Sequence, residues 1–431
     1  MTALALDGAA GRATVSAAER VRLALLWLSG FSGGFVFVEP SPYEFVIVLT
    51  IFVFAMSGLR LRAAHLPLVI LLILYCVGFG TAVIPVVGVG ESLMWTLVSS
   101  FLALTTLFFA AAMAEDAQRR LNALLAGYIA SAIVVSIIVI VAYFRLVPGT
   151  DLFLISGRAR ATFKDPNVLG PFLVLPAMVV IIRLLFGQVR SVAISIATLL
   201  VILAAELLTF SRGAWGHFLT SLVLLIVFSL ITSRRGAERR RVAAVAVVGL
   251  IAAGLFVAAL LSIGQVSELF QERASLVQSH DTGAFGRFGR HAAGALLVLD
   301  YPLGIGPLQF TRYFPEDPHN SFLNAFMAGG WLGGLTYLTL TVVTLAFGLR
   351  LIFVAAPWHR AAIAAYSTFV AVTVESYVID VEHWRHYYLI IGVLWGLLVA
   401  SRQTSPPELQ PALHPVARRP SAPYSPPPFG A

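Results

Sequence analysis

The chain has 431 residues, 59% of them hydrophobic and 12% charged, with a mean hydropathy of +0.89 and a formal net charge of +8. Soluble domains carry roughly a quarter charged residues, so this composition excludes an ordinary water-soluble enzyme and makes the bilayer the main solvent. The basic residues fall in short clusters between apolar runs rather than on one face, which sets nucleic acid aside and points to membrane orientation. The one cysteine, Cys76, lies inside an apolar run, so no disulfide can form within the chain.

In chain order, residues 1–21 (MTALALDGAAGRATVSAAERV) are too long and polar ahead of the first apolar run for a cleaved signal peptide, and they read as a cytoplasmic segment. About twelve apolar runs follow, near 22–38, 43–59, 66–84, 93–113, 121–145, 167–186, 191–209, 215–232, 242–263, 321–349, 361–379 and 387–401. The first is short and carries glycine, so eleven stays open. The expected fold is therefore all-α, a polytopic membrane unit over 22–401. Residues 402–431, rich in proline, read as a disordered cytoplasmic tail.

Cytoplasmic connections are enriched in Lys and Arg. Arg60 and Arg62, Arg119 and Arg120, Arg190, the group from Arg234 to Arg241, and Arg350 and Arg360 all fall in alternate connections, which assigns that side to the cytoplasm. With an even number of crossings both termini are cytoplasmic, and residues 146–166, 210–215 and 264–320 lie outside as periplasmic segments. The last is the largest. In it Val266, Leu269, Phe270, Ala274 and Val277 recur at helical spacing among polar residues, and a second helix is expected from about Phe285 to Leu299 with Arg287, Arg290, His291 and Gly294 on one face. Both read as amphipathic helices lying along the interface.

Three outer motifs can carry chemistry. SGRARATFKDPN places Arg158, Arg160 and Lys164 before a helix that Asn167 can cap, a natural anion site, although the same cations can anchor the span at the headgroups. FSRGAW sets Arg212 in a tight outer turn against the positive-inside bias, which favours an anionic partner. Snorkelling, or a structural pair with Glu206 one turn earlier, explains it too. DYPLGIGPLQFTRYFPEDPHNSFLNAFMAGGWLGG brings His319 and Asn320 to the mouth of the next span, with Asn320 or Ser321 as cap. A histidine so placed can accept a proton near neutral pH; a structural histidine, or a metal cluster of Glu316, Asp317 and His319 that fits no firm ligand spacing, are the other readings.

Taken in order, RARATFKDPN, FSRGAW, GRFGRHAAGALLVLDYPLGIGP and DPHNSFLNAFMAGGWLGG resemble the O-antigen ligase and O-antigen polymerase superfamily of bacterial membrane glycosyltransferases, over about residues 158–334. The resemblance implies a metal-independent, inverting transfer of a glycan from an undecaprenyl-diphosphate carrier to an acceptor, at the periplasmic face of the inner membrane and with no cofactor. The acceptor would be lipid A core in lipopolysaccharide ligation, or a growing glycan in polymerisation, exopolysaccharide included. His319 matches the family histidine held to activate the acceptor, Arg212 and Arg287 match arginines held to bind the diphosphate, and Arg158 matches a further basic position. Arg160, Lys164, Arg290 and Asn320 are secondary candidates. The chain departs from the family at Ala161, where glycine is frequent, and at His291, where tryptophan is common.

The rival reading is a transporter or flippase of a lipid-linked sugar. It expects broken helices and ionisable residues near the midplane, where Glu206 and Glu375 are the main acids, whereas the arginines and the histidine cluster outside.

Overall fold

The computed structural model describes residues 16–274, 283, 286–404 and 430. The expected terminal segments thus fall largely outside the described residues, as do Val277 and Phe285. Each of the twelve apolar runs is helical over most of its length: α1 (Ala17–Ser32), α2 (Pro42–Met56), α3 (Leu66–Ala82), α4 (Gly90–Met113), α5 (Ala117–Tyr143), α6 (Pro166–Leu185), α7 (Val192–Leu208), α8 (Arg212–Thr232), α9 (Gly236–Leu261), then α12 (Ser321–Leu351), α13 (His359–Glu375) and α14 (Arg385–Thr404). Between them the long connection from α9 to α12 carries α10 (Gly264–Ala274) and α11 (Arg287–Asp300). A two-residue hairpin, β1 (Leu154–Ile155) with β2 (Arg158–Ala159), is the one sheet among the described residues.

Seven helices are long and apolar enough to cross a membrane by length and composition: α4, α5, α6, α8, α9, α12, and α3 with the short turn before it. The helices α2 and α7, of 15 and 17 residues, are apolar but shorter. At 1.5 Å per residue they reach only about 23–26 Å, less than a hydrocarbon core of about 30 Å. Each of the twelve expected crossings is thus a helix, and seven of these helices meet that length and hydropathy requirement. The first helix also starts earlier than the hydropathy suggests, because Ser16 caps it by accepting the Glu19 amide at 3.2 Å.

The helix α6 is buried along most of its length, wrapped by α5, α7, α8 and α13. By contrast α9 turns Val247, Val248, Leu250, Ile251 and Leu255 outward. Such exposed apolar surface is stable only against lipid. With lipid equally apolar, helices associate by close packing of small residues. GVLWG in α14 shows it: a Cβ on Gly392 would lie 2.6 Å from the Thr106 carbonyl oxygen, and one on Gly396 2.7 Å from that of Ala110, so α14 seats its backbone on α4.

The longest helix, α12, is interrupted at Gly330 (φ 65°, ψ −169°). The turn at Pro302–Ile305 fills the break: Ile305 donates its amide to the Met327 carbonyl at 2.8 Å, and Trp331 donates to that of Pro302 at 2.8 Å. The chain beyond it is pinned where Ser92 donates to the Pro307 carbonyl at 2.8 Å. The motif glycines Gly304 and Gly330 therefore serve packing.

Candidate functional site

His319 sits just before α12 with a left-handed backbone (φ 49°), and Asn320 caps the helix by accepting the Leu323 amide at 3.0 Å. Both are held by Asp380, in the connection from α13 to α14. One carboxylate oxygen is 3.2 Å from His319 Nδ1, and the other accepts the Asn320 amide at 3.0 Å. Ser321 stitches the same junction, donating its amide to the Ser376 carbonyl at 2.9 Å and its hydroxyl to that of Ile379 at 3.0 Å. From the other side His291 Nε2 lies 2.6 Å from the Pro318 carbonyl, so the Nε2–H tautomer fixes the residue before His319. His291, the apparent departure, thus has a positioning contact.

The bond to Asp380 raises the His319 pKa above its ordinary value, against burial and the nearby Arg287 cation, which lower it. With Nδ1–H given to Asp380, the neutral ring presents a lone pair at Nε2, and the ring is 42% exposed. This is the arrangement of a carboxylate-oriented general base. Glu382, two residues on, is buried and accepts from Asn324, and burial with the nearby Asp380 pushes its pKa to about 8.

Arg287 opens α11, with Arg290 one turn on. Gly294 lets that helix rest on Leu323 and Phe310, so Arg287 stands close enough to depress the His319 pKa. Arg290 is buried, with Nη2 2.8 Å from Glu316. Glu316 thus pairs with Arg290 while His319 pairs with Asp380, and among the described residues no three His, Cys, Asp or Glu side chains are grouped to hold a metal.

Arg212 is the first residue of α8, where Ser211 caps by accepting the Ala214 amide at 3.3 Å. Arg158 reaches the same turn: its Nε donates to the Thr209 carbonyl at 2.9 Å and its Nη2 to Asn167 Oδ1 at 2.7 Å. Asp165, not Asn167, caps α6, because the Asn167 side chain is turned to Arg158. The two arginine groups flank the last turn of α13. A Cβ on Gly213 would lie 2.8 Å from Glu375 Oε1, and the next residue, Ser376, bonds Ser321 beside His319.

Two candidates lie elsewhere. Arg160 spans back to the Leu152 carbonyl at 3.0 Å and lies 4.7 Å from the Phe37 ring. Lys164 pairs with Glu39 at 2.6 Å, in a separate network where Arg385 contacts Glu39 at 3.1 Å and Glu44 at 2.6 Å. The Glu206–Arg212 pair does not form, since neither Glu206 oxygen accepts a hydrogen bond. Glu375 is the last residue of α13, not a mid-span acid, and lies 2.9 Å from His217 Nδ1. Asp380 escaped the sequence reading. Its signal was the polar run SYVIDVEHWRH between two apolar runs.

These features define a polytopic helical membrane protein with a carboxylate-held histidine and arginines gathered at one end of its bundle. Residues 196–338, a third of the chain, match the family model described as O-antigen ligase, which supports the resemblance to the O-antigen ligase and polymerase superfamily and glycan transfer of that type at a membrane. The match includes Arg212, Arg287 and His319, while Arg158 and Asp380 lie outside it. No curated protein matches the chain.

Proposed function

We propose that the protein transfers a glycan from an undecaprenyl-diphosphate carrier to an acceptor hydroxyl at the periplasmic face of the bacterial inner membrane, with inversion at the anomeric carbon and without a metal. The carrying observation is the His319–Asp380 pair with Arg287 beside it. The acceptor O–H gives its proton to His319 Nε2 as its oxygen bonds the anomeric carbon. The carbon–oxygen bond to the diphosphate breaks on the opposite side, and the carrier diphosphate leaves with the electron pair. Its growing charge needs fixed donors, and guanidinium forks supply them. In this reading Arg212 and Arg287 hold the diphosphate, Arg158 fixes the turn that aims Arg212, and twelve helices cross the bilayer with both termini cytoplasmic.

The test is glycan transfer by purified protein given lipid-linked donor and acceptor. His319→Ala should lower the rate about 10²–10⁴-fold, the worth of a positioned general base. Transfer unchanged in that variant, or no transfer while the lipid crosses the bilayer, removes the enzyme reading. Deleting the gene separates the acceptors: surface chains of single units indicate a polymerase, and finished polymer left on its carrier indicates a ligase.

A further inference from the structure

At the end of the bundle opposite His319, the connection from α8 to α9 and the connection from α12 to α13 enclose a cleft of about 730 Å³. The 21-residue α8 starts at Arg212 and ends at this cleft, which sets the two sites about 30 Å apart. We propose that the cleft binds a phosphate-bearing anion, the headgroup of an anionic phospholipid or a soluble phosphate, through Arg234, Arg235, Arg241 and Arg360. Four guanidiniums and His359 line it against a single carboxylate, Glu238.

The arginines come from separate elements, and two are fixed in place. Arg360 donates to Glu238 at 3.1 Å and stacks at 4.0 Å over the Phe186 ring, so its fork is held flat at the cleft wall. Arg241 lies against Gly187, where its guanidinium fills the space a Cβ would need. Arg234 and Arg235 close the rim, and among the described residues neither they nor Arg241 form an ion pair.

Membrane orientation alone does not require this. At the same end, Arg62, Arg119 and Arg120 are neutralised by Glu115, Asp116 and Glu19 at 3.5, 3.3 and 2.9 Å. Arg60, Arg190 and Arg350 at that end have no ion pair among the described residues either, but they lie on separate connections and line no shared concavity. In the cleft three of four positive charges have no ion pair among the described residues. Planar guanidiniums around a concavity of this size suit a phosphate, which each can meet with two parallel hydrogen bonds.

The full chain in detergent tests this with two probes, phosphatidylglycerol against phosphatidylcholine in mixed micelles, read by native mass spectrometry, and sodium pyrophosphate without added lipid, read by calorimetry. Arg241→Gln should weaken binding about fivefold, the worth of one basic residue at an anionic surface. Ala355→Trp, which fills the cleft and leaves every charge in place, should weaken it as well. Arg60→Gln, on another connection at that end, should change neither. Losses confined to the two cleft variants with either probe support the site, and the responding probe names the source of the phosphate. The proposal falls if neither probe responds to the cleft variants, or if Arg60→Gln loses as much.

Discussion

Asp380 and Arg287 act on His319 with opposite sign, and this separates a catalytic base from a structural histidine. A base must be neutral, so the rate should rise with pH through the His319 pKa, which Asp380 raises and Arg287 lowers. Asp380→Asn removes the raising partner and should move the acid limb of the pH–rate profile to lower pH, with a lower plateau as the ring loses its orientation. Arg287→Ala should move the limb to higher pH and cost about 10²–10³-fold in rate, as loss of one donor to a developing anion does. Profiles of the three proteins check both shifts. Movement of both limbs in one direction, or no movement, contradicts the assignment. The same bond sets a stability sign: because folding raises the His319 pKa, its contribution is complete below the unfolded value and is lost as pH rises through the folded one.

Among the elements, α12 shows most clearly how the bundle answers the solvent. A helix broken inside a bilayer must have its freed backbone groups met, and here the Pro302–Ile305 turn meets those beside Gly330. The broken helix that a transporter would use for substrate is therefore filled by the chain itself. Gly330→Ala should destabilise the protein by about 1–3 kcal/mol, because its backbone is left-handed and a Cβ would lie 2.6 Å from Leu303. A melting curve of the purified variant checks it, and an unchanged midpoint would show that the break relaxes freely. The helices themselves were legible in the sequence, since hydropathy fixes them without knowledge of neighbours. The site was legible in part. Arg212, Arg287 and His319 carry local motifs, while Arg160 and Lys164 stand apart from them because the short strand ends at Ala159 and a left-handed Ala161 swings the chain away from Arg158. Asp380 has no local motif. Its place follows only from α13 and α14 packing beside α12, sixty residues further along the chain than Asn320.

For the whole molecule the open quantity is which ends of the helices face which side, and the chain offers a direct route to it. Cys76 is the only cysteine and lies half-buried in α3, so Cys76→Ser gives a background without thiols at small cost, the replaced group being of similar volume. Single cysteines can then be placed at exposed positions that the fold assigns to opposite ends: Tyr313 and Lys164 at the His319 end, Arg235 and Phe353 at the cleft end. Arginine enrichment at the cleft end predicts that it faces the cytoplasm. In intact spheroplasts an impermeant maleimide should label Tyr313→Cys and Lys164→Cys at once, and Arg235→Cys and Phe353→Cys only after permeabilisation. The helices too short to satisfy the length requirement gain a test from the same experiment: Arg60→Cys and Val38→Cys lie at opposite ends of α2, and labelling on opposite sides requires that its 15 residues cross a locally thinned bilayer. Labelling of both from outside would leave α2 on the surface, remove one crossing, and force the helices on either side of it into a different arrangement of crossings.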